Sequence, residues 1–155
     1  MQYMLLIYDD EANWGKMPEG EQGRMMQEFR DFTESIVKSG NYRAGDQLQP
    51  IATATTVRGT NGKVLLTDGP YAEAKEQLGG YYLVEAKDLD EAVQMAKRIP
   101  SVRLGGGVEV RPVVPRPPGA LTEAVTASPP GIVWPWGGIR SKRSIASTTG
   151  GSWPR

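Results

Sequence analysis

The stretch Ala52–Pro100, "ATATTVRGTNGKVLLTDGPYAEAKEQLGGYYLVEAKDLDEAVQMAKRIP", decides how this chain folds. It opens as a hairpin. Thr53–Arg58 and Lys63–Thr67 hold the β-branched residues Thr55, Thr56, Val57 and Val64, and they flank Asn61-Gly62, a pair that readily adopts the positive φ angles of a type I′ turn. Asp68-Gly69-Pro70-Tyr71 follows: Asp can form an Asx-turn, Gly tolerates positive φ, and Pro sets the next φ at about −65°. Leu78–Ala86 reads as a further strand. Asp88 and Glu91 then make a capping box for a helix that places Leu89, Ala92, Val93, Ala96 and Ile99 on one face and stops at Pro100.

Upstream, Tyr3–Tyr8 is an apolar run bounded by Asp9 and Asp10, which suits a buried opening strand. After Pro18 and Glu19, apolar residues at Met25, Phe29, Phe32 and Ile36 define an amphipathic helix ending at Gly40. Residues 42 to 49 form a short extended segment that Pro50 ends. Downstream, "GVEVRPV" alternates, with Val108 and Val110 on one side and Glu109 and Arg111 on the other.

The order strand, helix, hairpin strands, strand, helix, strand predicts an α+β fold, a ferredoxin-like split β-α-β plan with an inserted hairpin. Both helices cover one sheet face. The other face carries alternate side chains of "YYLV" and needs cover from a second copy, which predicts a homodimer.

At 155 residues, one domain with an appendage is expected. Eighteen basic and eighteen acidic side chains cancel, so no global field favours direct nucleic-acid or membrane binding. The balance hides an asymmetry. From Pro115 onward five basic residues face one acid, +4, leaving thirteen basic and seventeen acidic residues, −4, in residues 1–114. This tail, 115–155, has seven prolines, six glycines, five serines and no sustained period, so it is expected to be disordered, although Trp134, Trp136 and Trp153 give it apolar points.

The chain has neither cysteine nor histidine. Thiolate chemistry, disulfides, Ser-His-Asp catalysis and imidazole metal ligands are therefore excluded, and proton chemistry must rest on carboxylates, Lys, Tyr or bound water. The missing cysteines, and the lack of a signal peptide pattern or a span of about 20 apolar residues, predict a cytoplasmic protein.

Asp68 at the hairpin exit has two readings: a turn residue, or a carboxylate fixed where it could accept a proton. Glu73, Lys75 and Glu76 are either a self-neutralising loop or polar contacts of a cleft, and they lack metal-ligand spacing. Arg58, Glu109 and Arg111 either form an ion-paired edge or line one cavity, in which an arginine could clamp an anion. Tyr71, Tyr81 and Tyr82 are more naturally core or interface aromatics than acids. "LGGYY" and "RLGGGVEV" lack the glycine patterns of nucleotide sites, and no cofactor is expected.

"YMLLIY", the Ala52–Pro100 stretch and the closing "VEVRPV" together resemble the YCII-related family, in particular its DGPF branch, over residues 1–114. The resemblance implies a dimeric α/β barrel of two ferredoxin-like protomers in small bacterial proteins. It implies catalysis by an aspartate and a histidine in the wider family, dehydrochlorination in a related branch, and an association of some members with sigma factors. Here the motif aspartate is Asp68, Tyr71 stands for the motif phenylalanine, and the histidine has no counterpart. Whether the chain is an enzyme stays open for that reason. The leading expectation is a binder of a small polar or anionic molecule in a cleft near Asp68, with lyase- or isomerase-like chemistry, contacted by Arg58, Tyr71, Glu73, Lys75, Glu76 and Arg111. The alternative is a non-catalytic regulatory module acting in transcription initiation through a sigma factor.

Overall fold

The computed structural model describes residues 1–115. The opening run forms strand β1 (Gln2–Asp9). Its Tyr3, Leu5 and Ile7 are buried while the residues between them are half-buried, the alternation of a strand with one face in a core. Asp10 caps a short helix, α1 (Glu11–Lys16), by accepting the Ala12 N–H at 3.0 Å. The long amphipathic helix is α2 (Glu19–Lys38), which buries Met25, Phe32 and Ile36.

Strand β2 (Tyr42–Gln47) follows, then a 3-10 turn at Ile51–Thr53 and the hairpin β3 (Thr55–Thr60) and β4 (Lys63–Asp68). Asn61 and Gly62 take φ angles of 51° and 77°, as a type I′ turn requires. Strand β5 (Gln77–Glu85) leads into α3 (Leu89–Ala96), which starts where the carboxylate of Asp88 accepts the Glu91 N–H at 2.9 Å. Glu91 reaches back to the Lys87 N–H at 2.7 Å. Pro100 opens a 3-10 segment to Leu104, and β6 (Gly107–Pro112) closes the fold.

The main sheet is antiparallel in the order β2-β5-β1-β6. On one face Tyr3, Leu5, Ile7, Tyr82 and Val84 pack against Phe32 and Ile36 of α2, Ala92 and Met95 of α3, and Ile99. The fully buried Leu5, Val84, Ile36 and Ile99 each contribute about 1.5–3 kcal/mol of burial. Phe32 and Tyr82 meet edge to face at 5.2 Å. Met4, Leu6, Tyr81 and Leu83 occupy the opposite face, half-buried, beside the ion-paired Glu109 and Arg111.

The hairpin is a separate two-stranded sheet. Its Val57, Val64 and Leu66 share one face and are 63–73% exposed. The pairing of β1 with β5 slips after Ile7: Ile7 faces Gly80, but Tyr8 faces Leu78. This irregularity sits where the candidate site begins.

Candidate functional site

A cavity of about 770 Å³ opens between α2 and the β2 side of the main sheet. Helical spacing explains one wall. Met26, Phe29, Thr33 and Val37 fall three or four residues apart, on the face of α2 beside its buried stripe. Ile7, Asp9 and Tyr82 come from the sheet, and α1 and the segment after β2 supply Glu11, Trp14, Leu48 and Pro50. The lining is mainly apolar, with polar groups at fixed points.

Asp9, at the end of β1, is the most constrained of those groups. Its Oδ2 accepts a 2.7 Å hydrogen bond from the hydroxyl of Ser101, itself 1% exposed. Burial pushes the Asp9 carboxyl above its ordinary value of 3.8, and the Ser101 hydrogen bond opposes that rise. Gly106 is required beside it, because a Cβ there would lie 2.0 Å from Asp9 Oδ1 and 2.7 Å from the Tyr8 carbonyl oxygen. Thus one distant segment, from Ser101 to Gly106, holds the carboxyl in place.

Two further carboxylates are anchored by single donors. Glu11 Oε1 accepts the Ile51 N–H at 2.8 Å, tying α1 to the segment after β2. On the helix-free face Asp46 Oδ2 accepts the Tyr81 hydroxyl at 2.9 Å, and that hydrogen bond, with the carboxylate's charge, raises the Tyr81 phenol. Inside, the Tyr82 and Thr33 hydroxyls lie 2.8 Å apart, and Thr33 donates to the Phe29 carbonyl at 2.8 Å. Burial raises the Tyr82 phenol as well. The arrangement can hold a small apolar body and present it with a carboxyl suited to exchanging a proton or binding a polar head.

The residues expected at the site from sequence lie elsewhere. Asp68 pairs with Thr55 at the base of the hairpin, is exposed, and does not line this cavity. The reason is topological: β4 pairs with β3, so the end of β4 does not face the layer between helices and main sheet. Arg58 donates to the Tyr71 carbonyl oxygen and stacks 4.3 Å from the centre of its ring. Glu73, Lys75 and Glu76 are exposed in the loop before β5. Arg111 is on the main sheet, where its Nε donates to Glu109 at 2.8 Å, so it and Arg58 stand on different sheets. Of the two readings of these charges, the structure shows an ion pair for Glu109 and Arg111, and an arginine on a tyrosine for Arg58.

Asp9 was legible in the sequence only as the polar end of a strand, and Glu11 carried no signal. Their partners, Ser101 and Ile51, are far along the chain, and no local pattern announces them. Among the described residues no three acidic side chains converge as a metal ion would need.

The model of the YCII-related domain matches residues 1–116. The chain belongs to the YCII-related family. An uncharacterised protein of Rhizobium meliloti (strain 1021) is 34% identical over 122 residues, covering 78% of this chain and 98% of that protein. The match spans every element of the YCII-related domain described above, cavity and hairpin alike. Among the described residues, no helix of this domain is long and apolar enough to cross a membrane.

Proposed function

We propose that this YCII-related domain binds a small molecule in the cavity between α2 and the sheet, with Asp9 as the group that would take or give a proton in lyase- or isomerase-like chemistry. The observation that carries this reading is the cavity itself. Its volume of about 770 Å³ is within the range of small-molecule sites, and a half-buried carboxyl stands at its edge. The site moves from Asp68 to Asp9, and the missing histidine ceases to matter, because a carboxyl with a raised pKa can act without an imidazole partner.

The protomer is of the ferredoxin-like type and works as a homodimeric α/β barrel in the cytoplasm. The strand order supports the first part, and the half-buried apolar side chains Met4, Leu6 and Leu83 on the helix-free face support the second. Light scattering at micromolar concentration should give twice the chain mass of 16.9 kDa; a single-chain mass would overturn the dimer.

Binding is tested with a neutral solvatochromic dye on the full chain. Uptake should fall in Met26→Trp, which fills the cavity from a 36% exposed position, and persist in Asp68→Asn. Equal uptake by all three proteins would remove the cavity from consideration.

A second reading has its own observation. The hairpin shows an exposed apolar stripe, Val57, Val64 and Leu66, near the stacked Arg58 and Tyr71, with Asp68 at its base and Glu73, Lys75 and Glu76 in the exposed loop that follows. This DGPF-type turn is then a protein contact, with a sigma factor as the partner implied by the resemblance. Loss of a sigma-factor pull-down on Leu66→Lys would support it, and a pull-down that never forms would end it. The expectations for the tail lie outside the described residues.

A further inference from the structure

We infer that the cavity selects an organic ammonium, a small amine whose apolar body packs against Trp14, Phe29 and Val37 and whose charged head meets Asp9 and Glu11. The inference rests on the small-molecule reading of the same cavity and adds the class of ligand.

Charge supplies the first reason. Three carboxylates face the cavity, Asp9, Glu11 and Glu34, against two cations, Arg30 and Lys38, a net of −1; the carboxylate of Asp46 turns to the other sheet face with Tyr81. Lys38 lies 3.6 Å from Glu34, and Arg30 is exposed and hydrogen-bonded to Gln27, so neither cation compensates the carboxylates from the strands and α1. Among the described residues Asp9 and Glu11 have no ion-pair partner. An anionic ligand would enter against this field, and its own desolvation would be uncompensated.

Hydrogen-bonding capacity supplies the second. Ser101 and Ile51 each donate once, to one oxygen of Asp9 and Glu11 respectively. A carboxylate offers about four acceptor positions on two oxygens, so each group is oriented and still able to accept. An ammonium brings donors and no acceptor, which matches that surplus.

The third reason is the wall. Trp14, Phe29 and Tyr82 present aromatic surface, which accepts both an alkyl chain and, at a ring face, a cation. A bare metal ion would leave this apolar surface unused. Burial already holds the Asp9 carboxyl above its ordinary range, and an adjacent ammonium would offset that cost and draw it down.

The test uses three probes with one apolar body, hexylamine, hexanol and hexanoate, titrated calorimetrically into the full chain near neutral pH. Hexylamine should bind about tenfold or more tightly than hexanol, the scale of a charge-assisted hydrogen bond in a partly buried site, and hexanoate weakest. Asp9→Asn with Glu11→Gln should bring hexylamine to the level of hexanol. If that double variant does not give a cooperative thermal melt, Asp9→Asn and Glu11→Gln are measured singly, since both amides keep an acceptor for Ser101 or Ile51. Each should reduce the preference for amine over alcohol; an undiminished preference in both would overturn the inference. Hexanol or hexanoate binding as tightly as hexylamine would overturn the ligand class and leave the cavity reading standing. Refusal of all three probes and of the neutral dye would overturn both.

Discussion

Strands β4 and β5 follow one another in the chain and carry similar residues, but their side chains have opposite surroundings. Tyr82 and Val84 of β5 are 9% and 0% exposed; Val64 and Leu66 of β4 are 73% and 72% exposed. Composition does not separate them. Their neighbours do, because β5 lies between β1 and β2 beneath α2 whereas β4 pairs with β3 alone. Strand propensity makes a ladder, and burial then depends on which layer lies over it. In this molecule the Asp68-Gly69-Pro70-Tyr71 turn follows the uncovered ladder and the cavity sits on the covered one.

Truncating the covered ladder should have the largest effect. Leu5→Ala, at a site with no exposure, is expected to cost about 2–5 kcal/mol in urea unfolding, whereas Leu66→Ala on the hairpin should stay within about 0.5 kcal/mol. Comparable losses would mean that the hairpin is covered in solution. Next comes Gly106→Ala, expected to cost about 1–3 kcal/mol because its Cβ meets both Asp9 and the Tyr8 carbonyl. Combining it with Asp9→Ala should recover part of that loss and no more, since the backbone contact persists.

A pH series separates the two regions differently. Asp9 has its folded pKa raised above 3.8, so its contribution to stability is full below that value and is lost as pH rises through the folded value. Compared with wild type, Asp9→Asn should therefore lose least ground at high pH and show a flatter fall over that window. Ser101→Ala, which removes the donor to the charged form, should steepen it. Urea midpoints from pH 3 to 8 decide this, and parallel curves would show that Asp9 is not held away from water. Smaller still, Arg58→Ala should change stability by less than about 1 kcal/mol, as expected for an exposed arginine on a tyrosine ring.

Much of the architecture was legible because local chemistry and tertiary pairing agree. Asn61-Gly62 turns where its φ angles predict, Asp88 and Glu91 cap α3 as their spacing implies, and the stripe of Met25, Phe32 and Ile36 is buried. The short helix α1 has no counterpart in the sequence pattern, where its cap, Asp10, marks only the boundary of a strand. The site was less legible for a physical reason. Sequence motifs mark conformational demands within a few residues, and Asp68-Gly69-Pro70-Tyr71 satisfies such demands at the hairpin base. Asp9 acquires its character from Ser101 and Gly106, more than ninety residues away, and from a slip in strand pairing that no composition rule reveals.

The base of the hairpin is closed by short, local bonds: the Gly69 N–H to the Ala54 carbonyl at 2.8 Å and the Thr56 hydroxyl to the Gly69 carbonyl at 2.7 Å. Those bonds make β3–β4 a removable cassette. Its tip at Asn61-Gly62 is exposed, so a peptide epitope or a pair of new chain ends can be placed there without disturbing the register of β1, β5 and β6.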